Sequence, residues 1–123
     1  MDIWCSPIEP DGKYATPYPL PLNSPQDDVT PFFFQAGQAL FFSSNRDGAS
    51  AGMDVFRSDK ISAEQWSEPQ QLDQPFNSPY DEIYFGCHSA SGKAYFSSNR
   101  PGSLGYDLFE APVPVRLSIE GSN

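Results

Sequence analysis

The chain has 123 residues, enough for one small domain with its own core. Its thirteen prolines, nine glycines and 15% aromatic residues disfavour long helices and favour short strands joined by turns. The formal charge of −9 argues against nucleic acid and direct membrane insertion, because an acidic surface repels phosphate backbones and anionic head groups.

In chain order, Met1-Asp2-Ile3-Trp4 has neither the basic region nor the apolar core of a signal peptide. It reads as the third strand of a unit whose first two strands lie upstream. A loop over 5–13 follows, with turn chemistry in Glu9-Pro10-Asp11-Gly12-Lys13. Residues 14–20 are predicted as an outer edge strand, where the row of unpaired amides suits their prolines. Asn23-Ser24-Pro25 turns the chain into strands predicted at 29–34, 40–44, 53–58 and 66–72, with turns at 36–38 and a Gly-rich loop over 45–52. Asn77-Ser78-Pro79 starts the same order again, with strands predicted at 83–87, 94–98 and 106–109; residues 113–119 read either as a fourth strand or as the start of a next segment. The only helical candidate, 62–66, is about one turn long. No apolar run approaches the ~18 residues that span a bilayer.

The second pass is a repeat of the first. Phe41-Phe42-Ser43-Ser44-Asn45-Arg46 returns as Tyr95-Phe96-Ser97-Ser98-Asn99-Arg100 at an offset of 54. Residues 22–46 and 76–100 agree at 23, 24, 25, 27, 36 and 42 to 46. Gly52-Met53-Asp54-Val55-Phe56 matches Gly105-Tyr106-Asp107-Leu108-Phe109 at an offset of 53, one loop residue having been lost. Apolar residues run consecutively, as in Phe32-Phe33-Phe34, which predicts sheets covered on both faces. Four short strands per unit of roughly 50 residues is the grammar of a propeller blade. The expected fold is all-β: a partial β-propeller of about two and a half four-stranded antiparallel blades. Residues 1–20 would be the second half of one blade, 22–72 a full blade and 76–119 another. Such a chain cannot close a ring. Missing blades, upstream of Met1 or in other copies, are expected to complete it, with self-association of the isolated chain.

Aromatic-Phe-Ser-Ser-Asn-Arg, a Gly-rich loop and then Tyr106-Asp107-Leu108-Phe109 resemble the TolB-type WD-like β-propeller repeats. The versions in OmpA-like multidomain envelope proteins, particularly of Bacteroidetes-type bacteria, are the most similar. Trp66-Ser67-Glu68-Pro69, Leu72, Asn77-Ser78-Pro79 and Asp81-Glu82 fit their inter-blade linker, and the likeness covers about 14–109. Gln35-Ala36-Gly37-Gln38 and Ser89-Ala90-Ser91-Gly92 depart from the Ser-Pro-Asp-Gly that usually joins the first two strands. The resemblance implies a non-catalytic scaffold, periplasmic or attached to the outer membrane, that binds another protein.

The recurrent residues Asn45, Arg46, Asp54, Asn99, Arg100 and Asp107 read as a structural signature. Arg46 with Asp54, and Arg100 with Asp107, are expected to form ion pairs that lock each Gly-rich loop. A ring of arginines gripping an anion is the functional alternative, and Arg46, Asp47, Arg100 and Leu104 are the candidate partner-binding loop residues. Asp27-Asp28 and Asp81-Glu82 suggest glycosidase carboxylates, but neighbours along a strand point to opposite faces and cannot flank one bond. Pairs from different blades could, so a propeller glycoside hydrolase or carbohydrate-binding fragment is the rival class. His88, the only histidine, follows Cys87, but their side chains diverge. His88 aligns with Phe34, which predicts a packed position. Cys5 and Cys87 permit one disulfide but fall at unrelated repeat positions, as independent thiols would. Asn45-Arg46-Asp47-Gly48 lacks the alternating acids of a calcium loop. No catalytic residue, metal site or cofactor is expected.

Overall fold

A computed structural model describes residues 1–34, 38–88 and 90–113. The described residues contain no helix and form three small antiparallel sheets. The first sheet pairs β1 (Trp4–Cys5) with β2 (Tyr18–Pro19). The central sheet runs in the order β3 (Asp28–Phe34), β4 (Ala39–Ser44), β5 (Asp54–Asp59) and β6 (Gln70–Gln71). The third sheet orders β7 (Glu82–His88), β8 (Lys93–Ser98) and β9 (Asp107–Pro112).

The outer strands are shorter than the sequence predicts. In the stretches read as 14–20 and 66–72 only two residues each join a ladder, with single bridges at Ile8–Tyr14 and Lys60–Trp66. Pro17 and Pro69 carry no amide hydrogen, and the ladder begins only at the residue after each. Of the strand predicted at 113–119, all but Val113 lies outside the described residues.

The repeat extends to backbone irregularities. β3 and β7 each shift register at the same place, between Val29 and Phe32 and between Ile83 and Gly86. The bulged residues Thr30 and Tyr84 have φ of 47° and 55°, uncommon for bulky side chains. The bulge puts the Thr30 hydroxyl 3.3 Å from Ser43 Oγ, where it also accepts from the Tyr84 amide at 3.2 Å.

Register decides which residues share a face. Leu40, Phe42 and Phe56 point from the central sheet to the first, forming a core with Ile3, Leu20 and Leu22. Phe34, Ala39, Phe41 and Val55 point the other way, against Phe76, Phe85, Ala94, Phe96 and Ala111 of the third unit. Phe41 stacks on Phe85 with ring centroids 4.5 Å apart. The hydrophobic core is therefore two layers between three sheets, and every residue of β4 is buried.

Among the described residues the third sheet is covered on one face only. Along β8 only Ala94, Phe96 and Ser98 are buried. Among the described residues nothing lies over the opposite face, so His88 is exposed where Phe34 is buried.

Candidate interaction site

Successive sheets are joined by one set of polar contacts, made twice. Asn23 accepts the Ile3 amide at 2.8 Å and donates to the Ile3 carbonyl at 2.8 Å and the Leu20 carbonyl at 3.0 Å. Asn77 does the same, accepting from Val55 N at 2.7 Å and donating to Val55 O at 3.1 Å and Leu72 O at 2.8 Å. Asp27 and Asp81 place Oδ1 at 2.6 Å from the Met1 amine and 2.8 Å from the Met53 amide. The following amides, of Asp28 and Glu82, donate to the carbonyls of Met1 and Met53 at 2.8 Å each. These clips read main chain only, so each unit can accept Ile3 or Val55 alike. From the sequence, Asn77-Ser78-Pro79 reads as a turn and as part of an inter-blade linker; the signal for the clip is the recurrence of Asn23 at Asn77.

The arginines are held differently from the pairing predicted above. Arg46 Nη2 lies 2.8 Å from Asp28 Oδ1 and 2.8 Å from the Leu22 carbonyl, and its Nε donates to Ser44 Oγ at 3.1 Å. Arg100 Nη2 lies 3.4 Å from Glu82 Oε2 and 3.0 Å from the Pro75 carbonyl, and its Nε is 3.0 Å from Ser98 Oγ. Hairpin register explains the correction. Asp28 faces Ser44 and Glu82 faces Ser98, so the acid that opens the first strand meets the arginine just past the second.

Each guanidinium also covers two rings. Arg46 is 5.0 Å from the Phe42 centroid and 5.2 Å from Phe56, and Arg100 is 5.1 Å from both Phe96 and Phe109. Both arginines are thereby engaged with their own unit. Of the candidate partner-loop residues, Asp47 and Leu104 remain on the surface, Leu104 at 96% exposure.

Asp28 and Glu82 are wholly buried, and the serine after each Asn clip holds them. Ser24 donates its amide to Asp28 at 2.7 Å; Ser78 donates its amide to Glu82 at 2.9 Å and its hydroxyl at 2.5 Å. Burial pushes the Asp28 carboxyl up, but hydrogen bonds from Ser24, Ser44 and Arg46 outweigh it and hold the group below its ordinary value. Asn45 and Asn99 accept the amides of Asp27 and Asp81 at 3.0 and 2.8 Å. Asp54 accepts from the Ser50 amide at 2.8 Å and from Gln71 Nε2, and its Oδ1 is buried without a partner among the described residues. Its counterpart Asp107 is exposed.

Beside the first junction opens a cavity of about 360 Å³ lined by Cys5, Tyr18, Phe33, Lys60 and Trp66 among others. Beside the second junction is a larger pocket of about 570 Å³, where Arg57 and Gln70 stand for Cys5 and Tyr18. Both cysteines are free; burial pushes the Cys87 thiol up to about 11, which leaves it protonated and unreactive at neutral pH. Among the described residues no group of three or more His, Cys, Asp or Glu side chains could hold a metal ion, and no helix is long and apolar enough to cross a membrane.

No family model, no curated protein and no solved structure matches the chain.

Proposed function

We propose that the three sheets are consecutive blades of an open β-propeller, and that the chain is a non-catalytic interaction module of a bacterial envelope protein. The observation that carries this reading is the junction itself: the same atoms join first sheet to central sheet and central sheet to third. A contact repeated with one geometry generates a curved stack, and closed stacks of four-stranded sheets are propellers. The envelope setting and the protein partner rest on the resemblance of the repeat to TolB-type blades.

Use of the acids supports binding over catalysis. Asp28 and Glu82 are buried beneath arginines, and Asp27 and Asp81 cap the adjoining sheet. A glycosidase needs two carboxyls facing one bond, one of them free to give up a proton. The partner surface is the rim of Gly-rich loops bearing Asp47, Leu104 and Tyr106.

The test immobilises the chain and passes a bacterial envelope extract over it. One retained protein should be lost with the double variant Asp47→Lys, Leu104→Asp, whose melting is unchanged. Turnover of an oligosaccharide that Asp81→Asn abolishes would overturn the reading in favour of an enzyme.

A further inference from the structure

The clips described above land on residues 1 and 3 of the first sheet and 53 and 55 of the central one. By the repeat offset of 53, the same seat on the third sheet is Tyr106 and Leu108. Its main-chain groups point the right way. Val113 N donates to Gly92 O at 2.9 Å, and bonded pairs alternate from there along the β8–β9 ladder. Leu108, opposite Ser97, therefore turns its amide and carbonyl away from β8, as Val55 does opposite Ser43.

The surroundings of the seat repeat as well. Gly52 is pressed beneath Tyr80 and Asp81, so that a Cβ there would lie 3.2 Å from the Tyr80 carbonyl. Its counterpart Gly105 has nothing within 4 Å. Ser43 donates to the Glu82 carbonyl of the next unit at 2.8 Å, and Ser97 holds the matching place on the third sheet. One ion pair marks the far end of each face, Arg57–Asp59 on the central sheet and Lys93–Glu110 on the third. Leu108 and Tyr84, at 72% and 66% exposure, are the apolar part left open.

We propose that this edge of β9 seats an Asn-Ser-Pro-x-Asp-acid segment beyond the two that this chain engages internally. The inference rests on the stacked-unit reading above and names the chemistry of the partner. The asparagine side chain brackets the Leu108 amide and carbonyl. The first acid accepts the Tyr106 amide, and the amide of the second donates to the Tyr106 carbonyl. Among the described residues no strand pairs with this edge of β9, and recognition through main-chain hydrogen bonds is the mode of addition to such an edge. A second copy of this chain is not the occupant, because both of its Asn clips are engaged within it.

The test titrates the isotope-labelled chain with a synthetic peptide of residues 73–84 and follows its amides by NMR. Saturable shifts are expected at Tyr106 and Leu108. Asn77→Asp in the peptide, which keeps an acceptor but loses both donors, should weaken binding at least tenfold. Leu108→Pro in the chain removes the outward amide at an edge position that tolerates proline, and should abolish binding with melting unchanged. The proposal fails if no shift saturates, if shifts centre on Val55 because the peptide displaces the chain's own segment, or if the Asn77→Asp peptide binds equally well. It also fails if Tyr106 and Leu108 shift with chain concentration alone, since a second copy would then be the occupant. Asn77→Asp placed in the chain separates the two readings. A large fall in melting without peptide binding sinks docking but leaves the stacked units standing; no fall sinks both.

Discussion

The central and third sheets share strand order, bulge and arginine anchor, yet they differ in what they bury. Phe34, Ala39, Phe41 and Val55 are core residues of the central sheet. Their counterparts His88, Lys93, Tyr95 and Leu108 face outward on the third. Strand pairing is thus local to each unit, whereas burial is conferred by the neighbour stacked upon it. The difference teaches that equivalent positions in a repeat carry unequal energies, and five measurements can break or sharpen it.

The largest contrast is expected at one repeat position. Phe41→Ala opens a cavity between two sheets and should cost about 3–5 kcal/mol in denaturant unfolding. Tyr95→Ala, on the open face, should cost under about 1 kcal/mol. Equal losses would mean that the third sheet is covered in solution.

The anchors come next. Arg46→Ala leaves Asp28 buried and unpaired and should cost about 3 kcal/mol or more. Arg100→Ala breaks a longer contact at a more exposed side chain and should cost less, about 1–2 kcal/mol. Asp107→Asn, at the residue first expected to pair with Arg100, should shift stability by under about 0.5 kcal/mol.

The same acid sets a pH dependence. A carboxyl depressed in the folded state binds its proton more readily when unfolded. Its contribution is present above the unfolded value of about 3.9 and lost as pH falls through the folded one. Asp28→Asn should therefore lower the melting temperature at pH 7 and flatten its decline below about pH 4. An unchanged acid limb would show that another group carries it.

Gly52→Ala should cost about 1–3 kcal/mol, since the added carbon meets Tyr80 and Asp81 of the next unit. At Gly105 the same change meets open space, and only its φ of 81° penalises it, by about 1 kcal/mol. Thermal melts of the two variants compare a filled seat with an open one.

The smallest effect lies in the turns between the first two strands. Gln38 has φ 51° where the equivalent Gly92 has 70°. Gln38→Gly should raise stability by about 0.5–1 kcal/mol, and Gly92→Gln should lower it by a similar amount.

The sequence alone determined the repeat, the order of strands and the recurrence of the Asn-Arg ends, because apolar runs and turn chemistry act over a few residues and survive copying. Asp27 recurs at Asp81, and at both places the carboxylate accepts from a main-chain nitrogen of the preceding unit. Tertiary structure decided what those residues touch. Arg46 goes to Asp28 and not Asp54 because hairpin register, set across the bulge at Thr30, brings the first strand's opening acid beside it. Asn23 and Asn77 became clips because the preceding unit presents an outward amide and carbonyl at the right height. Phe34 is buried and His88 exposed because a sheet stands over one and not the other. Partners across a stack are separated by tens of residues, and their distance is fixed only when the sheets pack, so local patterning carries no record of it.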